Sequence, residues 1–333
     1  YRWTITDASS NEIYSVIDTT STSLKSKGLP AGKNSTNNQL IVTLEVFDSL
    51  MESSSATRTI VVKPISLTDS SSQVQSILNT AGTIDNVSQA HQTVLITKTL
   101  SSMIKSSGSF YEYASQLSDI ISDIVTRFKS VANTQFIDGM SSSAQAIMDS
   151  IMNSSLSKEE MQQKIASILM DLLDIVSENR DSISMSESSA NAMMSTMTNI
   201  LEENDAILSQ VSSIVQRIGH LYSLSAKTYP FKLSNEKFDV IASPLLSTSG
   251  SPLILNENAP VSATFSPSSI TRINQLDTQA QVIAQITVWK DSVQNPQVYE
   301  PFINQTSALF FSNLVTVSFT SQSGQEIRVR GLS

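Results

Sequence analysis

The sequence predicts an α+β protein in which a Ser-rich helical region lies between two β-rich regions. Apolar residues alternate with polar ones in the first ~65 residues, recur every three or four residues in the middle, and alternate again from about residue 229. We therefore expect three parts. They are the C-terminal part of an Ig-like or similar β module (1–66), a helical subdomain of roughly five to seven helices (67–226), and an antiparallel β-sandwich subdomain (227–333).

The first β region contains one strong strand pattern and several shorter ones. Leu40 to Val46 alternates apolar and polar residues, as a half-buried strand does. A second strand is predicted at Thr59–Lys63 and ends at Pro64, because proline cannot donate a hydrogen bond to a neighbouring strand. Weaker candidates lie at 3–5 and 13–17. These strands are too few for a complete sandwich, so we expect part of this module to lie upstream.

The middle region has apolar stripes at helical spacing. Ser109 and Ser157 are each followed three residues later by Glu, a pattern that caps helix starts. Each stripe covers one face of a predicted helix, and the three strongest lie at 117–128, 161–176 and 207–221. Weaker stripes lie at 86–105, 141–152 and 186–202.

The last region returns to strand patterns. Alternation is seen at 231–240, 282–288 and 315–319, and Ser323-Gly324 predicts a turn into a returning strand at 327–329. No Gly-x-Gly-x-x-Gly sequence follows a strand, which argues against a dinucleotide-binding fold.

Charge and composition exclude several classes of protein. The net charge of -9 and the lack of a basic cluster argue against a nucleic-acid partner. The absence of cysteine excludes a disulfide framework. The chain begins at Tyr1 without Met and has no apolar run long enough for a membrane span. We expect it to be part of a longer protein, with any signal peptide or anchor outside it.

Residues that could support catalysis are sparse. The two histidines, His91 and His220, are each expected to be structural or solvated. A hydrolase that uses a serine with either histidine remains an alternative, although no Gly-x-Ser-x-Gly elbow is present. We therefore expect a protein that is not an enzyme and has no catalytic residues.

Oxygen-rich clusters do not predict a metal site. Asp171 and Asp174, and the acidic group at 202–205, are expected to lie on solvated helix faces or near helix N-termini. Asn256-Glu-Asn258 could contact calcium in a loop, but its spacing is not that of a calcium-binding loop. No cofactor is expected.

Four methionines are grouped in one stretch, at 185, 193, 194 and 197. Methionine can form adaptable binding surfaces, but it also fills irregular cores. We expect these four side chains to fill a core.

Asn-x-Ser/Thr sequons are the one chemical signal with a direct mechanism. They occur in predicted turns or junctions between elements, where a glycan could project, at Asn34, Asn86, Asn153 and Asn304. They favour the secretory route, although a chain rich in Asn, Ser and Thr also produces sequons by chance.

The last region resembles polycystin-like and receptor-for-egg-jelly (REJ)-like surface proteins near their proteolysis site. The residues that carry this resemblance are 282–289, Asn295-Pro296, 314–319, 323–329 and Leu332. The opening segment is similar to the closing strands of an egg-jelly-receptor module, through Leu24, Gly28-Leu29, Gly32, 40–48 and 59–62.

The resemblance implies an extracellular stalk on the surface of a cell or cilium. It implies that the helical and β-sandwich parts form an autoproteolysis-inducing (GAIN-type) domain before the first membrane span. The family's cleavage site needs a Cys-containing motif with His, an apolar residue and then Ser or Thr, and this chain ends before such a motif. Its nearest string, His220-Leu-Tyr222, has Tyr at the nucleophile position, so no residue is assigned to self-cleavage.

The expected function is that of an extracellular structural and interaction segment of a large cell-surface membrane protein, with a role in adhesion, assembly or mechanosensing. Other extracellular domains or subunits are the expected partners, and no small-molecule substrate is expected. An intracellular helical scaffold, whose apolar stripes would bind partners, is the alternative.

Overall fold

The computed structural model describes most of the helical region and parts of both β regions. The described residues are 1–7, 12–17, 29, 34–48, 50, 52–63, 75–76, 78–79, 110–152, 159–201, 208–226, 229–245, 253–255, 263–275, 282–290 and 314–321. They confirm an α+β protein, in which α-helices follow one antiparallel sheet and precede another.

The elements follow the predicted order. The first β region contains β1 (Arg2–Asp7), β2 (Glu12–Ile17), a 3-10 turn (Asn34–Thr36), β3 (Gln39–Phe47) and β4 (Ser53–Val61). The helical region contains α1 (Phe110–Phe128), α2 (Thr134–Ile151), α3 (Glu159–Glu178), α4 (Glu187–Leu201) and α5 (Leu208–Ser223). The last region contains β5 (Phe231–Ser234), β6 (Phe238–Pro244), β7 (Leu253–Leu255), β8 (Ala263–Phe265), α6 (Pro267–Asn274), β9 (Ile283–Trp289) and β10 (Leu314–Thr320).

The chain divides into two compact units, Tyr1–Ile168 and Leu169–Ser333. The predicted limits of the three parts, at 66/67 and 226/227, stay predictions. No helix in the described residues is long and apolar enough to cross a membrane.

The sheet of the first unit has the strand order β2-β1-β3-β4, and all its neighbours are antiparallel. Ile5 and Leu40 are its buried centre, and Trp3, Val42 and Ile60 pack against them. The three shorter predictions in this region differ in outcome. Strands at 3–5 and 13–17 are confirmed by β1 and β2, whereas the strand predicted at Thr59–Lys63 has the wrong limits.

β4 starts at Ser53 and ends at Val61, because it pairs along the whole length of β3. Its register runs from Phe47 opposite Ser53 to Gln39 opposite Val61. The first residues of β4 are Ser, Ala, Thr and Arg with exposed side chains, so they show no apolar alternation. The backbone hydrogen bonds to β3 define this strand, and a side-chain pattern does not reveal them.

The first unit also contains α1 and α2. Of the predicted α1 stripe, Leu117, Ile121 and Ile124 are fully buried. α2 begins at Thr134, earlier than the stripe predicted at 141–152, because the side chain of Asn133 caps it by accepting a hydrogen bond from the Phe136 amide at 2.9 Å.

The main sheet of the second unit has the order β10-β9-β6-β5 and is antiparallel throughout. On one face, Ile241, Ile286 and Phe319 share an apolar core with Leu255 of β7 and Phe265 of β8. The Phe265 and Phe319 rings meet edge to face at 5.6 Å between centroids. The β7–β8 hairpin therefore packs against this face of the main sheet.

α6 lies in a region predicted to contain only strands. Ser266 caps it by accepting from the Ser269 amide, Pro267 occupies its first turn, and Ile270 and Ile273 enter the same apolar core. Ser266-Pro267 is a helix-start signal, but the strand patterns on either side led to a prediction of strands only.

β9 is buried on both of its faces. Every residue from Ile283 to Trp289 is buried. The reason is that the core of β7, β8 and α6 covers one face, whereas α5 packs against β6 and β9 on the other.

Burial of Ile286 is expected to contribute strongly to the stability of the second unit. Ile286 on β9 is fully buried, whereas Val317, directly opposite it on β10, is 46% exposed. Ile286→Ala should lower the free energy of unfolding by about 2–5 kcal/mol, and Val317→Ala by less than about 1 kcal/mol. Chemical denaturation of the full chain measures both. Equal losses would contradict the assigned burial.

Candidate functional site

Helix and sheet approach each other closely in the second unit at Gly219, near the end of α5. A Cβ atom placed on Gly219 would lie 2.5 Å from Oε1 of Gln285 on β9 and 2.7 Å from Cγ1 of Val240 on β6. Both distances are far below carbon van der Waals contact. Glycine is therefore the residue that allows the backbone of α5 to reach the sheet.

His220, the next residue, bonds the helix to the edge of the sheet. Its side chain is 5% exposed. Its Nδ1 atom lies 2.7 Å from Oγ1 of Thr320 on β10, and either atom can be the donor. This contact joins residues 100 positions apart in the chain.

Two buried polar side chains of β9 lie on the face toward α5. Gln285 and Thr287 are 2% and 1% exposed. The Gln285 Nε2 atom lies 3.4 Å from Oγ1 of Thr287, to which it donates. We call the group Gly219, His220, Gln285, Thr287 and Thr320 the helix–sheet seam.

The environment of His220 keeps its imidazole neutral. Burial lowers its pKa from 6.5 to about 4, and the positive charges of Arg180 and Arg217 act in the same direction. Since the unfolded chain binds this proton near pH 6.5 and the folded chain does not, His220 contributes stability above pH 6.5. That contribution is lost as the pH falls from 6.5 toward 4.

An ion pair joins α5 to α3. Nη2 of Arg217 lies 2.6 Å from Oδ1 of Asp174, and Nη1 lies 3.8 Å from the sulfur of Met170. Asp174 and Asp171 were both predicted to lie on a solvated face. Both are partly exposed, and Asp174 is in addition the partner of Arg217.

The chain beyond α5 is held by a series of hydrogen bonds to backbone carbonyls. Ser223 Oγ donates to the His220 carbonyl, the Tyr229 hydroxyl donates to the Ser223 carbonyl, and Ser225 Oγ donates to the Met185 carbonyl. Burial raises the pKa of Tyr229. These bonds hold Ser223, Ser225 and Tyr229 in place between α5 and β5.

A separate ionic cluster lies on the other face of β6. Asp239 accepts from Lys232 at 3.0 Å, from Lys290 at 2.9 Å and from the Ser234 hydroxyl. Burial by itself would raise the pKa of this carboxyl, but the hydrogen bonds from Ser234, Lys290 and Lys232 outweigh it and hold the pKa below its usual value. Because residues alternate along a strand, Asp239 points away from α5 when Val240 points toward it.

The chemistry available at the helix–sheet seam is limited. An imidazole with a pKa near 4 takes up a proton poorly at neutral pH, so His220 is a weak general base. Its Nδ1 atom is bonded to Thr320, which is a residue of strand β10. Among the described residues, no three His, Cys, Asp or Glu side chains converge in a way that could hold a metal ion.

The other predicted residues differ in how far the structure describes them. The four methionines at 185, 193, 194 and 197 are 0–2% exposed, which confirms that they fill a core. Asn34 begins the 3-10 turn before β3. Several predictions lie outside the described residues: His91, the acidic group 202–205, the loop 256–258, the strand at 327–329, and the sequons at Asn86, Asn153 and Asn304.

The sequence patterns did not indicate the helix–sheet seam. One signal was available, because Gly219 interrupts an apolar helical stripe between Ile218 and Leu221, and an isolated glycine there can mark a close approach. Nothing local pointed to Gln285 or Thr320 as its neighbours, since they are distant in the chain.

Comparison with known proteins adds little to this picture. No family model and no curated protein matches the chain. Among solved structures, it is similar to the full extracellular region of zebrafish Gpr126/Adgrg6, with 13% identity and a TM-score of 0.38. The match covers 56% of this chain and 26% of that one. A likeness this low carries no functional argument, and the resemblance to polycystin-like and REJ-like proteins stays a prediction.

The close approach at Gly219 can be tested by adding one methyl group. Gly219→Ala should destabilise the chain by about 1–3 kcal/mol, because the helix must move away from Gln285 and Val240. Denaturation of the variant measures this loss. Ser213→Ala, at an exposed position of α5, is the control and should change stability by less than about 0.5 kcal/mol.

A double-mutant cycle then shows whether Val240 is the obstacle. Val240→Ala combined with Gly219→Ala should cost less than the sum of the two single changes, because the smaller side chain makes room for the new methyl group. Strict additivity would contradict the contact.

Proposed function

We propose that this chain is an extracellular structural and interaction segment, a stalk, of a large cell-surface membrane protein, and that it is not an enzyme. Its role would be adhesion, assembly or mechanosensing, with other extracellular domains or subunits as partners. The observation that carries this proposal is the helix–sheet seam, in which polar side chains that could do chemistry bond to one another beneath a tightly packed helix.

The state of His220 supports a structural role. A serine hydrolase needs a histidine that takes a proton from a nucleophile. His220 is buried, bonded to Thr320 and too weak a base for this step near pH 7. We therefore do not favour a hydrolase based on His220, and we propose no small-molecule substrate or cofactor.

Burial of the helical stripes argues against an intracellular scaffold that binds partners through them. Val211, Ile214, Val215 and Ile218 of α5 are each 0% exposed. The stripe of α3, from Met161 to Val176, is also buried. These apolar residues stabilise the chain itself and are not available to a partner helix.

The position of Asn34 is compatible with glycosylation and therefore supports passage of the chain through the secretory route. This sequon lies in the short 3-10 turn before β3, and Ser35 within it is exposed. A net charge of -9 argues against nucleic acid as a partner on either side of the membrane.

Labelling of the native protein in its own cells tests the proposal. An antibody against this chain should stain intact cells without permeabilisation, at the cell surface or on a ciliary membrane. Brief treatment of intact cells with a protease should remove that signal. Staining that needs permeabilisation and survives the protease would show an intracellular protein and overturn the proposal.

The sequon at Asn34 offers a matched pair of variants. Thr36→Ala destroys the Asn34-Ser-Thr36 acceptor, whereas Ser35→Ala keeps it. In a secreted form of the chain, Thr36→Ala should remove one glycan, seen as a step in mobility that endoglycosidase treatment abolishes. Ser35→Ala should keep that glycan. Identical mobility of both variants before and after the enzyme would show that Asn34 is not glycosylated.

A further inference from the structure

We propose that the helix–sheet seam is an acid-sensitive closure: protonation of His220 separates the end of α5 from β9 and β10, while the opposite face of the sheet stays packed. The opening would operate in an acidified vesicle reached from the cell surface, a location that rests on the proposed function. The opening itself is a property of the second unit.

The geometry of the seam leaves no room to solvate a charged imidazole. The backbone of α5 at Gly219 is so close to Gln285 and Val240 that not even a methyl group fits. His220 is 5% exposed, and its hydrogen-bond partner is the neutral hydroxyl of Thr320. That hydroxyl can accept from an imidazolium, but it cannot neutralise the charge.

On the helical side, the described charges that act on His220 are positive. Arg217 on α5 and Arg180 after α3 both disfavour an imidazolium. Asp174 on α3 is bonded to Arg217 at 2.6 Å. Glu178 and Asp181 have exposed side chains, where water screens their charges.

Among the described residues, the other elements packed on α5 provide no anion to His220. Glu187 is the charged residue of α4 and acts on Tyr222, whose pKa is raised first by burial and then by this carboxylate. The carboxylate of β6, Asp239, lies on the other face with its two lysines. β9 and β10 contain no charged residue. Tyr222 and Tyr229 are neutral at acid and neutral pH.

The end of α5 provides one opposing effect. A cation at a helix C-terminus is stabilised by the helix dipole, and His220 lies in the last turn. This effect is smaller than the cost of burying an unpaired charge. Protonation therefore favours the open seam.

The opposite face of the sheet has no reason to open with acid. Its core consists of aliphatic and aromatic side chains, among them Ile241, Ala284, Ile286 and Phe319, and none of them titrates. Asp239 lies on the same face, but hydrogen bonds from Ser234, Lys290 and Lys232 hold its pKa below its usual value, so it stays ionised at pH 5. Opening should therefore be local to the face that contacts α5.

Because the chain contains no cysteine, an introduced thiol reports opening at a chosen position. Thr287→Cys places a thiol in the seam, and Ala284→Cys places one on the opposite face of the same strand, where both native side chains are at most 1% exposed. Each full-length variant is labelled with a disulfide reagent that reacts in acid. The rate is divided by that of the urea-unfolded chain at the same pH.

The proposal makes a different prediction for each variant. Between pH 7.4 and pH 5, the relative labelling of Thr287→Cys should rise by about 20-fold, whereas that of Ala284→Cys should rise by less than about 2-fold. In the His220→Gln background, the rise for Thr287→Cys should fall below about 2-fold, because the amide does not titrate. Equal acceleration on both faces, or acceleration that persists in His220→Gln, would overturn the proposal.

A second measurement follows the titration of the unmodified protein, and a variant serves only to assign its signals. The chain has two histidines, and His91→Gln identifies which imidazole NMR signal belongs to His220. His220 should stay neutral until the pH approaches about 4 or the seam opens. A simple titration near pH 6.5 with no change in seam labelling would overturn the proposal. Neither result depends on whether the protein is at the cell surface, which the antibody experiment decides separately.

Discussion

The close approach of α5 to the main sheet at Gly219 is the constraint on which the second unit depends. Because no side chain separates the helix from Gln285 and Val240 there, the following residue is held at the edge of the sheet, where His220 meets Thr320. The same approach lets α5 cover one face of β9, so that this strand is buried on both faces. A helix held farther from the sheet would expose Gln285 and Thr287 to water.

The polar character of the seam distinguishes it from the opposite face. Burying hydrogen-bonded polar groups contributes less stability than burying apolar groups, but it specifies position, because a shift leaves buried donors or acceptors without partners. The apolar core around Ile286 supplies stability, whereas the seam specifies where α5 lies on the sheet. This combination suits a structural segment, and it leaves His220 as the titratable group in the contact.

Periodic patterns predicted the elements in which buried apolar and exposed polar side chains lie on different faces. The stripes of α1, α3 and α5 and the methionine-filled core were predicted because burial repeats with the helical period. The limits of β4 were predicted wrongly because its first residues are exposed Ser, Ala, Thr and Arg, which show no apolar alternation. Backbone pairing with β3 defines the strand there. α6 was missed because it is short and lies among strand patterns. The seam could not be predicted, since it joins residues about 65–100 positions apart through tertiary packing alone.

Hydrogen exchange of the full chain at pH 7.4 tests most directly whether α5 and the sheet form one packed body. The amide protons of Val211–Leu221 and those of β9 should exchange with the same opening free energy, and both should depend equally on added urea. Exchange of α5 with a lower opening free energy and little dependence on urea would show that the helix detaches from the sheet in neutral solution. That result would contradict the close packing of α5 on the sheet at Gly219.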